Sequence, residues 1–354
     1  MPNLRKLLTR MPALRGGLYA LMAAALFGAS TPLLQWFGHG LGAFTSAALL
    51  YAGAAAVGAL SRRPAAREAQ LARRDGPVLL GMAAFGAVLG PVALAWGLQH
   101  TSATSASLML TLEALFTALL AWAVYRETMD RRVAAAMLLL LAGGAVLVLD
   151  QGQVSGAQLW GLLAVLLATA AWGVDNTLSR ALAERDPSQV VMAKALLGAS
   201  ATSLIAVALG EPLPTAGAAL GLLMVGATGY GLSLRFYLLA QRAFGAGRTG
   251  SVYAFAPFIG AAIAVAMGDR IAGWMLPLGG LLMLAGVLLH LIESHNHEHR
   301  HEALEHEHAH RHDDGHHDHT HDSMPLGSHS HRHRHEPLQH AHPHVPDVHH
   351  THRH

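Results

Sequence analysis

Apolar residues run along this chain in windows near 16–37, 40–60, 77–98, 101–125, 133–149, 157–178, 189–209, 216–239, 249–268 and 272–292, separated by short polar connections. A helix rises about 1.5 Å per residue, so about twenty apolar residues cross the roughly 30 Å hydrocarbon layer of a bilayer. The pattern therefore predicts an all-α membrane protein of about ten transmembrane helices. From residue 293 the apolar runs stop and the chain becomes polar. The first window follows Arg5, Lys6, Arg10 and Arg15, an order shared with cleaved signal peptides, but it runs on to Phe37 and is too long for one. It reads as an uncleaved first helix behind a basic cytoplasmic N-terminus, 1–15.

Composition supports lipid as the solvent. Charged residues make up 13% of the chain, against about 25% in ordinary soluble domains. Gly and Ala are abundant within the windows, which in membrane helices allows close backbone packing. There are no cysteines, so disulfides and thiolate chemistry are absent and any metal must be held by nitrogen and oxygen.

Basic residues in the short connections orient the chain, since they concentrate on the cytoplasmic side. With the N-terminus inside, the cytoplasmic connections carry Arg62, Arg63, Arg67, Arg73, Arg74, Arg126, Arg131, Arg132, Arg180, Arg185, Arg242 and Arg248 in addition to the four N-terminal charges, while the opposite side carries Arg270 alone. Both termini are then cytoplasmic, and a plasma membrane of bacterial inner-membrane type is the expected location.

The chain also repeats itself at a period near 142–145 residues: LFGASTPL at 26–33 aligns with AWGVDNTL at 171–178, and LEALFTALLAW at 112–122 with FAPFIGAAIAV at 255–265. An odd number of helices per repeat turns the halves over relative to each other, and inverted halves with a midplane site between them are a device of secondary transporters.

The stretch TSATSASLMLTLEALFTALLAWAVYRE at 101–127, with the later AGGAVLVLD at 142–150, resembles the EamA-type repeat of the drug/metabolite transporter superfamily, and 157–292 resembles its second copy. Ala114 stands where that motif usually has proline, whereas Pro257 keeps it, and helix two lacks a buried basic residue. The resemblance implies a permease of two five-helix repeats, 16–150 and 151–292, and leaves the solute open.

Ionisable groups within the hydrocarbon layer are candidate functional groups. Glu113 lies at the centre of the 101–125 window, too deep to reach either surface, with Thr104, Ser107, Thr111 and Thr117 nearby as hydroxyls for a polar path. It is a candidate for proton coupling or cation binding, or a protonated structural residue. Asp175 and Asn176 on helix six and Lys194 on helix seven lie at similar depth and could pair. Arg235 lies close enough to its helix end to snorkel. His39, Gln99 and His100 lie on the external connections, where the two imidazoles could meet a metal. Pro32, Pro91, Pro257 and Pro277 interrupt the windows and are candidate hinges.

The tail, 293–354, holds 23 of the 26 histidines. Its short repeats alternate histidine with another residue at His295, His297, His299 and His301, at His306, His308, His310 and His312, and at His329, His331, His333 and His335, with His316, His317, His319 and His321 between. Such spacing does not share a helix face and suits a flexible or extended segment around a cation. Low hydrophobicity predicts a disordered tail. Imidazole is a common ligand for zinc, copper and nickel, so weakly bound nickel, cobalt or zinc is expected here, while no cofactor is required.

The function expected is an exporter of a divalent transition metal (nickel, cobalt or zinc), with export of a small organic metabolite or amino acid as the alternative and the tail then a metal buffer or sensor. No phosphate-binding loop of a nucleotide motor and no zincin motif is present, which argues against an ATP-driven pump and an enzyme. A sensor with the helices as an anchor is disfavoured by the internal repeat. The partners expected are the bilayer and a small solute or metal ion, with no nucleic acid; a homodimer is compatible with the pattern.

Overall fold

The computed structural model describes residues 12–61, 69–125, 131–152, 156–182, 185–244, 246–269, 273–291, 295–300, 304–310, 329–335 and 339–344. In chain order the apolar helices are α1 (Gly16–Phe37), α2 (Ala43–Leu60), α3 (Arg73–Leu98), α4 (Ala103–Val124), α5 (Ala134–Leu149), α6 (Gly156–Ser179), α7 (Pro187–Ala208), α8 (Ala216–Gln241), α9 (Ala256–Ala266) and α10 (Met275–Leu289). Seven are long and apolar enough to cross a membrane; α5, α9 and α10 are shorter. The window expected at 249–268 is two pieces, a short helix Ala246–Tyr253 and α9, with a turn at Ala254–Phe255 between them. Pro257 opens α9, where its missing N–H costs nothing. Pro91 likewise sits at the start of a regular segment, whereas Pro32 lies inside an unbroken helix.

Irregularities recur in the two halves. Residues Ala83–Leu89 of α3 and Gly226–Leu232 of α8 are single π-helical stretches, and α4 is broken by a turn at Leu110–Thr111 as the Ala246–Ala266 stretch is at Ala254–Phe255. Both pairs are spaced by the sequence repeat. Packing repeats as well: α1 packs on α8 as α6 packs on α3, α4 on α6 as α9 on α1, while α2–α7, α4–α9 and α5–α10 each pair equivalent helices.

Small residues set these approaches. A Cβ on Gly58 of α2 would lie 2.7 Å from Met192 Cα of α7, and one on Gly143 of α5 would lie 2.8 Å from the Gly279 carbonyl of α10. Large apolar side chains meanwhile cover the outside, among them Leu138 (66% exposed) and Leu204 (72%). Such an outer surface suits hydrocarbon, and the chain is a multi-pass membrane protein.

Within the tail, four short segments are described, as backbone strands. Backbone strand β1 (His295–Arg300) pairs antiparallel with β4 (Gln339–His344), and β2 (Leu304–His310) with β3 (His329–His335). The physical reason is in the same alternation: a period of two, useless to a helix, is the period of a strand.

Candidate functional site

The break in α4 builds the site. The helix turns at Leu110–Thr111 and restarts at Leu112, which puts Glu113 in the first turn of a new helical segment, where the helix dipole favours a carboxylate. Glu113 lines a cavity together with Phe27 of α1, Tyr51 of α2, Trp172 of α6, Tyr230 of α8 and Tyr253. Phe27 is the hub of the rings, with centroids 5.7 Å from Trp172, 5.9 Å from Tyr230 and 5.6 Å from Tyr253, while Tyr51 lies 5.6 Å from Tyr230. These separations are those of favourable aromatic pairs.

The π-helical stretch of α3 orients two of the rings. Its Gly86 carbonyl accepts from the Tyr51 hydroxyl and, at 3.1 Å, from Trp172 Nε1. A π-turn shifts the hydrogen-bond ladder by one residue, and such turns recur at functional sites. Polar groups complete the wall. Asn176 Nδ2 donates to Glu113 Oε1 at 2.6 Å. Asp175 and Lys194 form a buried ion pair between α6 and α7. Among the carboxylates and ammonium groups described in this wall, Glu113 is therefore the one outside the ion pair.

A smaller adjoining cavity, lined by Asp175, Asn176, Ser179, Lys194, Tyr237 and Arg185, extends toward one end of the bundle. There Arg185 Nε bridges Asp75 at 2.9 Å, Leu71 N–H donates to Gln189 at 2.7 Å and Asp186 N–H to the Ala69 carbonyl at 2.8 Å. The other end is joined by carboxylates on helix starts. Glu211 accepts from Phe44 N–H at 3.2 Å and from the Thr45 N–H and hydroxyl at 2.7 Å each; Asp269 accepts from the Thr104 N–H and hydroxyl at 2.8 Å each. These satisfy amide groups that a helix start leaves without partners. Gln35 and Gln99 add bonds to the Leu98, Thr101 and Leu41 carbonyls.

Not every residue singled out in the sequence reaches the cavity. Thr104 is engaged by Asp269, and Ser107 and Thr111 are buried outside the cavity lining. The turn at Leu110–Thr111 takes them out of helical register with Glu113, so the hydroxyl path expected along α4 is interrupted. Arg235 donates to Ser188 Oγ at 3.3 Å. His39 is exposed, and His100 stacks on Trp96 with centroids 4.1 Å apart. His301, His312, His316, His317, His319 and His321 lie outside the described residues, as do Arg62, Arg63, Arg67, Arg126 and Arg270. The ring cluster and the caps at Glu211 and Asp269 were not read from the sequence. One signal was present: Phe27 and Trp172 occupy the same place in the aligned segments 26–33 and 171–178.

Two segments, 14–149 and 159–292, each match the EamA-like transporter family. A protein of Methanothermobacter thermautotrophicus described as an uncharacterized transporter is 30% identical over 231 residues, which span 63% of this chain and 66% of that protein, just under two thirds of its length. A solved structure described as a crystal structure of a protein aligns over 78% of this chain and 95% of its own with a TM-score of 0.57 at 19% identity, a likeness of fold. With the duplicated match covering both halves that bound the cavity, this chain belongs to the EamA-like transporter family.

Proposed function

We propose that this protein is a secondary transporter that exports a small organic solute carrying a positively charged amino group, a metabolite or an amino acid, in exchange for protons taken up by Glu113. The observation that carries the reading is a carboxylate without an ion-pair partner of its own within a wall of aromatic rings. An ammonium over such faces gains about 0.5–2 kcal/mol per contact, and a carboxylate in a poorly solvated site supplies the complementary charge. Apolar walls with few polar groups are the usual make-up of small-molecule sites.

In this reading ten helices form two inverted five-helix repeats that rock about the cavity. The excess of basic residues assigns the Arg185 end to the cytoplasm, so solute enters past Arg185 while the Glu211 and Asp269 caps hold the outer end closed. Both termini are cytoplasmic and the membrane is of bacterial inner-membrane type. A divalent transition metal as cargo is the second reading, favoured by the histidines of the tail. The cavity supports it less: it offers two carboxylates, one already paired, and among the described residues no three metal-ligating groups converge.

Purified protein in liposomes tests both readings. Flux of amines, amino acids, zinc and nickel is followed under an imposed proton gradient. Proton-driven flux of an amine or amino acid, lost in Glu113→Gln, is the expected result; zinc or nickel flux without organic flux overturns it in favour of metal.

A further inference from the structure

Gly86 and Gly229 are each the fourth residue of a π-helical stretch, Ala83–Leu89 and Gly226–Leu232. In an α-helix the N–H of Gly90 would bond the Gly86 carbonyl, four residues back; here it bonds Phe85, five back. Likewise the Ser233 N–H bonds Thr228 rather than Gly229. Each slip takes from one glycine carbonyl the donor that a regular helix supplies. At Gly86 two side chains make up the loss, the Tyr51 hydroxyl and Trp172 Nε1. At Gly229, among the described residues, no side chain donates to the carbonyl. Phe27, which aligns with Trp172 in the repeat, has a ring without an N–H. Ser30, which aligns with Asp175, gives its hydroxyl proton to the Phe27 carbonyl at 2.6 Å. Gly229 is buried, and it lines the same cavity as Glu113, Phe27 and Tyr230.

We propose that the Gly229 carbonyl is a second solute-binding group of the cavity, accepting a hydrogen bond from an O–H or N–H that the solute carries apart from its ammonium group. The inference rests on the ammonium reading above and narrows it to amines with a further hydrogen-bond donor, hydroxylated amines above all. A buried backbone carbonyl without a partner costs free energy comparable to a lost hydrogen bond, so such groups are nearly always paired. Both halves withdraw a backbone donor from the same place in the repeat, and in the first half the protein answers with its own rings. In the second half the acceptor stays open toward the cavity. Gly86 shows the chemistry that such a carbonyl takes, a phenol O–H and an indole N–H. Glu113 then holds the ammonium while Gly229 reads the second donor. A site built to bond a hydroxyl discriminates against the analogue that lacks it, because the protein group is left unpaired.

The test compares donors with capped analogues. Binding of tyramine and of ethanolamine to the full-length protein in detergent is measured by calorimetry, each beside its O-methyl ether, which keeps the ammonium and blocks the donor. At least one of the two hydroxylated amines is expected to bind about tenfold tighter than its ether. Two variants then remove the acceptor by different means. Replacing Tyr230 with its α-hydroxy acid analogue turns the 229–230 amide into an ester, whose carbonyl accepts hydrogen bonds more weakly while every side chain is kept. Phe27→Trp leaves the backbone intact and supplies an indole N–H from the position that aligns with Trp172, so that the protein itself engages the carbonyl. In both, the preference for the hydroxylated amine over its ether should largely disappear. Equal binding of amine and ether by the unaltered protein, or a preference kept in full by both variants, overturns the acceptor role and leaves the ammonium reading standing. Failure of all four amines to bind overturns the ammonium reading itself, and the acceptor with it.

Discussion

Asn176 of α6 donates a 2.6 Å hydrogen bond to Glu113 of α4, joining two helices at the charge on which the proposed transport depends. The bond holds one carboxylate oxygen in place while the group remains on the cavity wall. Glu113→Gln keeps size and hydrogen-bonding capacity but removes proton uptake. Solute flux driven by a proton gradient should fall at least tenfold, with normal membrane insertion. Asn176→Leu, which removes the donor alone, should weaken transport less. Undiminished gradient-driven flux in Glu113→Gln would make the carboxylate structural.

The buried Asp175–Lys194 pair separates stability from mechanism. Removing one partner of a buried ion pair leaves a charge without compensation and costs about 3–5 kcal/mol, whereas replacing both with apolar residues can be neutral. Lys194→Met and Asp175→Leu should each lower the melting temperature in detergent strongly, and the double variant should recover most of the loss. Transport recovering along with stability would restrict the pair to a structural role. A stable double variant without transport would place it in the transport cycle.

Gly86 is a site where one methyl group should matter. A Cβ there would lie 2.7 Å from Asp175 Oδ1, while its carbonyl holds Tyr51 and Trp172. Overpacking of this kind costs about 1–3 kcal/mol, so Gly86→Ala should lower thermal stability and disturb solute affinity through the two rings. Gly76→Ala is the matched control, because a Cβ there meets nothing within 4 Å. A Gly86 variant as stable as this control would show that the helices yield easily at this point.

The caps at Glu211 and Asp269 should govern access from the end opposite Arg185. Loss of a helix cap costs about 1 kcal/mol, and here each cap also joins residues more than 160 positions apart in the chain. The absence of native cysteines makes the measurement clean. A cysteine at the buried Ala103 position (Ala103→Cys) should react severalfold faster with a membrane-impermeant thiol reagent in Glu211→Ala/Asp269→Ala than with both caps intact. Equal labelling rates would mean that the outer end is held by other contacts.

Much of the architecture could be read from one dimension. Among the described residues, seven of the apolar windows correspond to helices long and apolar enough to cross a membrane, and the other three hold shorter apolar helices. The repeat aligned by LFGASTPL and AWGVDNTL is the one that the duplicated family match spans. Glu113 stood out because an acid within an apolar run is conspicuous whatever surrounds it. Asp175 and Lys194 stood out for the same reason.

The turn at Leu110–Thr111, the π-helical stretches and the convergence of Phe27, Tyr51, Trp172, Tyr230 and Tyr253 were not legible in this way. A helix in lipid is apolar on its inner and outer faces alike, so hydrophobic periodicity does not report which face turns inward. The sequence by itself determined where the chain enters hydrocarbon, how it repeats and which charges it carries there, because burying a polar group in lipid is costly at every rotation of the helix. Only the tertiary structure decided that Lys194 neutralises Asp175 while Glu113 faces the rings. That choice depends on helix rotation and on contacts between distant segments, set by packing of glycines such as Gly58 and Gly143 against the neighbouring helix.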